Sequence, residues 1–169
     1  MTEMKHTLVA LVADRPGVLN RVASLFRRRG FNIDSIAVGH TEQKGVSRMT
    51  IVVTGNMAMV EQVRKQLDKV IDVIKLSNIT EESTVDRELA LIKVKSTPET
   101  RSEIMQIVDI FRANIVDVAP ESLTVEVTGD EEKVNSLFNL LRDFGIKEMA
   151  RTGRLAMTRG TPPHPKGQS

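Results

Sequence analysis

The chain has 169 residues, 40% hydrophobic and 27% charged, the balance of an ordinary globular protein with length for one medium or two small domains. It has no cysteine, which excludes a disulfide scaffold, a zinc–thiolate site and a cysteine nucleophile, and its three histidines (His6, His40, His164) are not at ligand spacing. A formal net charge of +2 gives no ground for a nucleic-acid partner, and no apolar run approaches the roughly 20 residues of a membrane helix.

The polar residues Met1 to His6 lead directly into a predicted strand and do not read as a signal peptide, so the expected compartment is the cytoplasm. The apolar run from His6 to Ala13 is a buried strand that ends in the turn Asp14-Arg15-Pro16-Gly17. Val18, Leu19, Val22, Leu25 and Phe26 then share one face of a helix, which Gly30 stops. Asn32 to Val38 and Ser47 to Thr54 form a hairpin around a polar loop from Gly39 to Gly45. Val60, Val63, Leu67 and Val70 mark a second helix, and Ile71 to Leu76 closes the unit as a strand.

A polar stretch follows, and then the pattern starts again. Glu88 to Lys95 is a strand, and Ile104, Ile107, Val108 and Phe111 form a helical stripe. Asn114 to Val118 and Leu123 to Thr128 form a hairpin around Ala119 to Ser122. Val134, Leu137, Phe138 and Leu141 form another stripe, Gly145 ends that helix, and Ile146 to Met149 is the last strand. Each half is βαββαβ, so the expected fold is α+β with two tandem ferredoxin-like domains. The expected organisation is a first domain at residues 1–78, a linker at 79–86, a second domain at 87–160 and a disordered tail at 161–169. Leu25-Phe26-Arg27 recurs as Ile110-Phe111-Arg112, and Asn32-Ile33-Asp34 is echoed by Asn114-Ile115-Val116-Asp117, which reads as an internal duplication. Units of this size often pair with a partner, so a dimer or larger assembly is expected.

The chemistry centres on the first turn. Pro16 presets φ, Gly17 lets another group approach the backbone, and the helix begins with free N–H groups at about Gly17, Val18 and Leu19. Those groups and the helix dipole suit a carboxylate. Asn32 offers both donors and an acceptor, and Val18, Ile33, Ile36 and Val38 are aliphatic neighbours. Together they suit a branched-chain α-amino acid. Plain structure reads the same residues differently: Asp14 as a helix cap, and Asn32 as a residue that tolerates an awkward backbone angle.

Long stretches around this turn resemble a known family. Asp14-Arg15-Pro16-Gly17-Val18-Leu19, Leu25 to Ser35, Ser47 to Val53, Arg87 to Val94, Ile110 to Ala113, Ser122 to Glu126 and Gly145 to Gly153 together resemble the ACT-domain small subunits of acetolactate synthase, also called acetohydroxyacid synthase. The resemblance covers nearly all of the chain except the tail. It implies a subunit with no active site, which binds and activates a catalytic large subunit and confers feedback inhibition by valine in branched-chain amino acid synthesis. It implies thiamine diphosphate, magnesium and FAD on that catalytic partner and none on this chain. It also implies an effector held where two N-terminal ACT domains meet, with Gly17 and Asn32 as contacts. The candidate effector site is Asp14, Pro16, Gly17, Val18, Leu19, Asn32, Ile33 and Ile36.

Three rivals stand beside this reading. RNA-binding domains share the βαββαβ order but stack bases on sheet aromatics, and here Phe26, Phe111, Phe138 and Phe144 fall on or at the ends of predicted helices. An enzyme would need reactive groups at working spacing, whereas Asp34, Asp72 and Asp117 lie singly and read as solvent-facing strand residues. A stand-alone amino-acid sensor acting on a different enzyme would fit the same paired domains. Arg27-Arg28-Arg29 reads as the solvated, cation-favouring end of a helix.

Overall fold

The computed structural model describes residues 3–160, and the tail expected at 161–169 lies outside the described residues. The chain divides into two compact units, one of residues Met1–Val85 together with Arg154 onward, the other Asp86–Gly153.

In the first unit the elements run β1 (Met4–Ala13), α1 (Val18–Arg28), β2 (Ile33–His40), β3 (Val46–Gly55), α2 (Met57–Asp68) and β4 (Val73–Asn78). The sheet order is β2-β3-β1-β4 with every neighbouring pair antiparallel, which is the ferredoxin-like arrangement. The period-2 alternation of strands puts Leu8, Ala10 and Val12 of β1 and Met49, Ile51 and Val53 of β3 on one face. Against them lie Val18, Val22 and Phe26 of α1 and Val60, Val63 and Leu67 of α2, the helical stripes expected from their spacing.

The opposite face of this sheet is also covered, which is why β1 reads as a continuous apolar run. Ile79 is buried against Val9 and Ala156, and its N–H donates to Thr7 O at 3.0 Å. Residues 154–158 cross the same face: Arg48 Nη2 donates to Ala156 O at 2.7 Å, Arg154 N to Ser35 Oγ at 3.3 Å and Arg154 Nη1 to Thr7 Oγ1 at 3.2 Å. By packing, residues from Arg154 onward group with the first compact unit and the second spans Asp86–Gly153. Within the stretch expected as a linker, Ile79 is buried and Thr84–Asp86 lie in a strand.

The second unit comprises β5 (Thr84–Lys95), α3 (Arg101–Ile110), β6 (Asn114–Ala119), β7 (Ser122–Gly129), α4 (Glu131–Arg142) and β8 (Ile146–Arg151). Its order, β6-β7-β5-β8, repeats that of the first unit. An additional short strand, β9 (Leu155–Thr158), pairs with β5, whose first two residues belong to the first unit. Arg159 N donates to Ser83 O at 2.8 Å beside it. Among the described residues no helix is long and apolar enough to cross a membrane.

Candidate functional site

The turn between β1 and α1 is built from backbone. Ala13 N–H donates to Asp72 O at 2.8 Å, and Asp14 N–H to Gly45 O at 2.9 Å, so both ends of the turn's entry are fixed. Gly17 occupies the N-cap of α1 at φ 84°, ψ −7°, in the left-handed region that favours glycine. No side chain caps the helix. Arg21 N–H makes the first i→i−4 bond, to Gly17 O at 3.1 Å, and Val18 N–H reaches only Arg15 O at 3.5 Å. The first turn of α1 thus presents N–H groups with the positive end of the helix dipole behind them. A Cβ built on Gly17 would meet nothing within 4 Å, so the space in front of the turn is open.

Both plain structural readings of the turn fail. Asp14 does not cap the helix: the N-cap is Gly17, and the Asp14 carboxylate lies 3.4 Å from His40 Nδ1 instead. Asn32 does not occupy the awkward backbone angle: the positive φ is at Gly30, at 72°. Gly30 closes α1, with Phe31 N–H donating to Phe26 O at 3.0 Å. Phe31 is buried edge-on against Phe26, ring centroids 6.3 Å apart, in the room left by Gly55. Asn32 follows, exposed, immediately before β2 rather than within it.

The predicted residues fall into two groups. Asp14, Pro16, Gly17, Val18 and Leu19 cluster at the turn, Val18 buried in the core and Leu19 half exposed. Asn32 and Ile33 stand at the other end of the sheet. Ile33 pairs with Val53, and Val53 with His6, seven residues along β1 from Ala13; at about 3.3 Å per residue that is roughly 23 Å. Ile33 and Ile36 pack against the core rather than facing outward. Within one chain Gly17 and Asn32 do not meet.

Asp72 departs from its expected place. It lies in the turn before β4, not on a strand, and is buried, with its carboxylate bonded by Arg21 Nη1 and 3.7 Å from Arg15 Nη1. Its isolation in the sequence hid this, because both arginines are far from it along the chain. Asp34 and Asp117 are exposed as expected, and Asp34 accepts a hydrogen bond from Thr54 Oγ1 at 2.6 Å. The described residues contain no cluster of three or more His, Cys, Asp or Glu able to hold a metal ion.

Residues 8–75 match the model of the AHAS small subunit-like ACT domain, and residues 87–160 that of the small subunit of acetolactate synthase. The chain is 60% identical to a probable acetolactate synthase small subunit of Archaeoglobus fulgidus, over 93% of this chain and 98% of that one. The chain belongs to the acetolactate synthase small-subunit family. It is also 54% identical to the acetolactate synthase small subunit of Bacillus subtilis, over 94% of this chain and 92% of that one. The crystal structure of the small subunit from Thermotoga maritima superposes with a TM-score of 0.86 at 44% identity, covering 94% of this chain and 99% of that one. Membership accounts for both βαββαβ units and for the ACT character of the first.

Proposed function

We propose that this small subunit is the non-catalytic regulatory subunit of acetolactate synthase, and that it activates a catalytic large subunit and makes it sensitive to valine. The observation that carries the effector reading is the separation of Gly17 from Asn32. Strand β2 is an edge strand, so its outer row of backbone groups is free to pair. If two copies join β2 to β2 antiparallel about a two-fold axis, the Ile33 end of one strand lies beside the His40 end of the other. The His40 end adjoins Asp14, 3.4 Å away, and hence the Gly17 turn. A dimer of this kind brings the turn of one copy to the Asn32 of the second, twice over.

In that site the helix start and the Gly17 backbone hold the effector carboxylate, Asn32 meets its polar end, and Leu19 and Val38, both half exposed, meet its aliphatic side chain. Valine then acts by linkage. It favours the dimer arrangement whose site fits it, and the attached catalytic subunit loses activity to the extent of valine's differential affinity for the two arrangements. Thiamine diphosphate, magnesium and FAD belong to the catalytic partner, which joins two 2-oxo acids in the cytoplasm.

Reconstitution tests this. Adding the chain to the large subunit should raise its activity, and valine should then lower it. Activation without valine sensitivity would leave an activator with a different effector; neither effect would point to a sensor that serves another enzyme. Gly17→Asp should abolish valine inhibition and keep activation, because aspartate tolerates the left-handed region better than most residues and projects charge into the open space. Gly17→Asn separates the charge from the bulk. Inhibition unchanged in Gly17→Asp would remove the turn from the effector site.

A further inference from the structure

Asp72 collects three ties from the segment that carries the Gly17 turn. Its carbonyl oxygen accepts from Ala13, the last residue of β1; its carboxylate is bonded by Arg21 from α1 and lies 3.7 Å from Arg15 within the turn. The turn is thus held before, within and after itself by one buried residue. Asp72 is 4% exposed, whereas Arg15 is 71% and Arg21 58% exposed. The anchor is fixed and the guanidiniums stand at the surface around the helix start. The two guanidiniums are the cationic groups that can face an anion there.

The second unit is a natural control. Lys95 N–H donates to Gly145 O at 2.7 Å, as Ala13 N–H does to Asp72 O, so Gly145 stands where Asp72 does. Counting back from the left-handed residues that close the two helices, Gly30 and Arg112, the counterpart of Arg21 is Glu103. Both members of the pair are absent. The turn there is closed on its own side chains instead: Thr97 N donates to Thr100 Oγ1 at 2.9 Å, Thr100 N to Thr97 Oγ1 at 3.3 Å, and Arg101 Nη2 to Ala119 O at 3.1 Å. The buried acid accompanies the open turn and is missing beside the closed one.

We propose that Asp72 is a positioning residue for the effector turn: through Arg15 and Arg21 it fixes the angle at which the first N–H groups of α1 face the effector carboxylate, and so sets effector affinity without touching the effector. This rests on the reading that the Gly17 turn holds that carboxylate. Asp72→Asn keeps the size of the residue and its bond to Ala13 but removes the charge. In the reconstituted enzyme it should leave activation in place and raise the valine concentration for half inhibition about tenfold. Arg21→Gln should do the same, and the double variant should be no worse than either single one, since both remove one interaction. Glu88→Gln removes the charge from a comparably buried acid that is bonded by Arg151 in the second unit, and valine sensitivity should not move.

Wild-type inhibition in a folded Asp72→Asn would overturn the proposal, as would an equal loss in Glu88→Gln, which marks mere destabilisation. If Asp72→Asn does not fold, Arg15→Gln at the exposed end of the cluster decides: it should raise the half-inhibition concentration about two- to threefold, and no change would count against the proposal. Unaltered inhibition in Gly17→Asp would bring down the effector reading itself. Loss of inhibition in Gly17→Asp, with wild-type behaviour in Asp72→Asn, would bring down only the role of Asp72.

Discussion

The two units share an element order, a strand order and a core scheme, yet they treat the turn after their first strand in opposite ways. In the first, Pro16 and Gly17 bring the chain into α1 with no side-chain cap and open space in front. In the second, Thr97, Thr100 and Arg101 bond the turn to itself and to the β6–β7 turn. Both helices lack a side-chain N-cap, but only the second turn is bonded to itself, so the shared topology does not by itself give the two turns the same chemistry.

The comparison also corrects the apparent repeat. Leu25-Phe26-Arg27 and Ile110-Phe111-Arg112 look equivalent in sequence. The helix ends say otherwise: Phe31 N–H bonds Phe26 O, and Ala113 N–H bonds Val108 O, each at 3.0 Å, so Phe26 corresponds to Val108. The likeness of Asn32 to Asn114 holds, since each stands two residues after a positive-φ closing residue. Phe26→Ala should then cost about 3–5 kcal/mol in urea unfolding, because the ring is fully buried. Val108→Ala should cost about 2 kcal/mol for two methyl groups and the space they leave, and the half-buried Phe111→Ala about 1–2 kcal/mol. Equal costs for Phe26→Ala and Phe111→Ala would restore the sequence repeat and break the structural one.

The helix-closing residues allow a finer test. Gly30 and Arg112 both have positive φ, at 72° and 52°. Gly30→Ala should lose about 1 kcal/mol and Arg112→Gly gain up to about 1 kcal/mol, since only glycine adopts that region without steric cost. A stabilising Gly30→Ala would mean that the two helices end differently. The smallest effect belongs to the surface of α2, where the hydrogen bond from Arg64 holds the Glu61 carboxyl below its usual range. A carboxyl lowered on folding adds stability above its unfolded value and loses it as pH falls through the folded one. Glu61→Gln should therefore lower the melting temperature barely measurably at pH 7, and not at all once Glu61 is protonated in strong acid. A large change would show that surface pairs, and not the turns, separate the units.

Much of the fold was legible in the sequence because burial imposes period 2 on strands and 3.6 on helices, and Gly30 and Gly145 mark helix ends. Strand β9 was not legible: of Leu155-Ala156-Met157-Thr158 only Ala156 is buried, so no alternation announces it. Ile79 is a lone apolar residue in a polar stretch and carries no periodic signal. Asp72 reads in the sequence as a solvent-facing strand residue because a single acid shows no partner until the chain folds back on Arg15 and Arg21.

The candidate site divides along the same line. Local chemistry alone marks the turn from Asp14 to Leu19, because proline, glycine and a helix start act within a few residues of one another. Its freedom from a capping side chain, the distance that parts Gly17 from Asn32 and the carboxylate anchoring the turn are decided by tertiary structure. Each depends on which strand edges and which ends of the sheet are brought together, and those pairings join residues far apart in the chain, as Leu8 with Asn78 and Ala13 with Asp72.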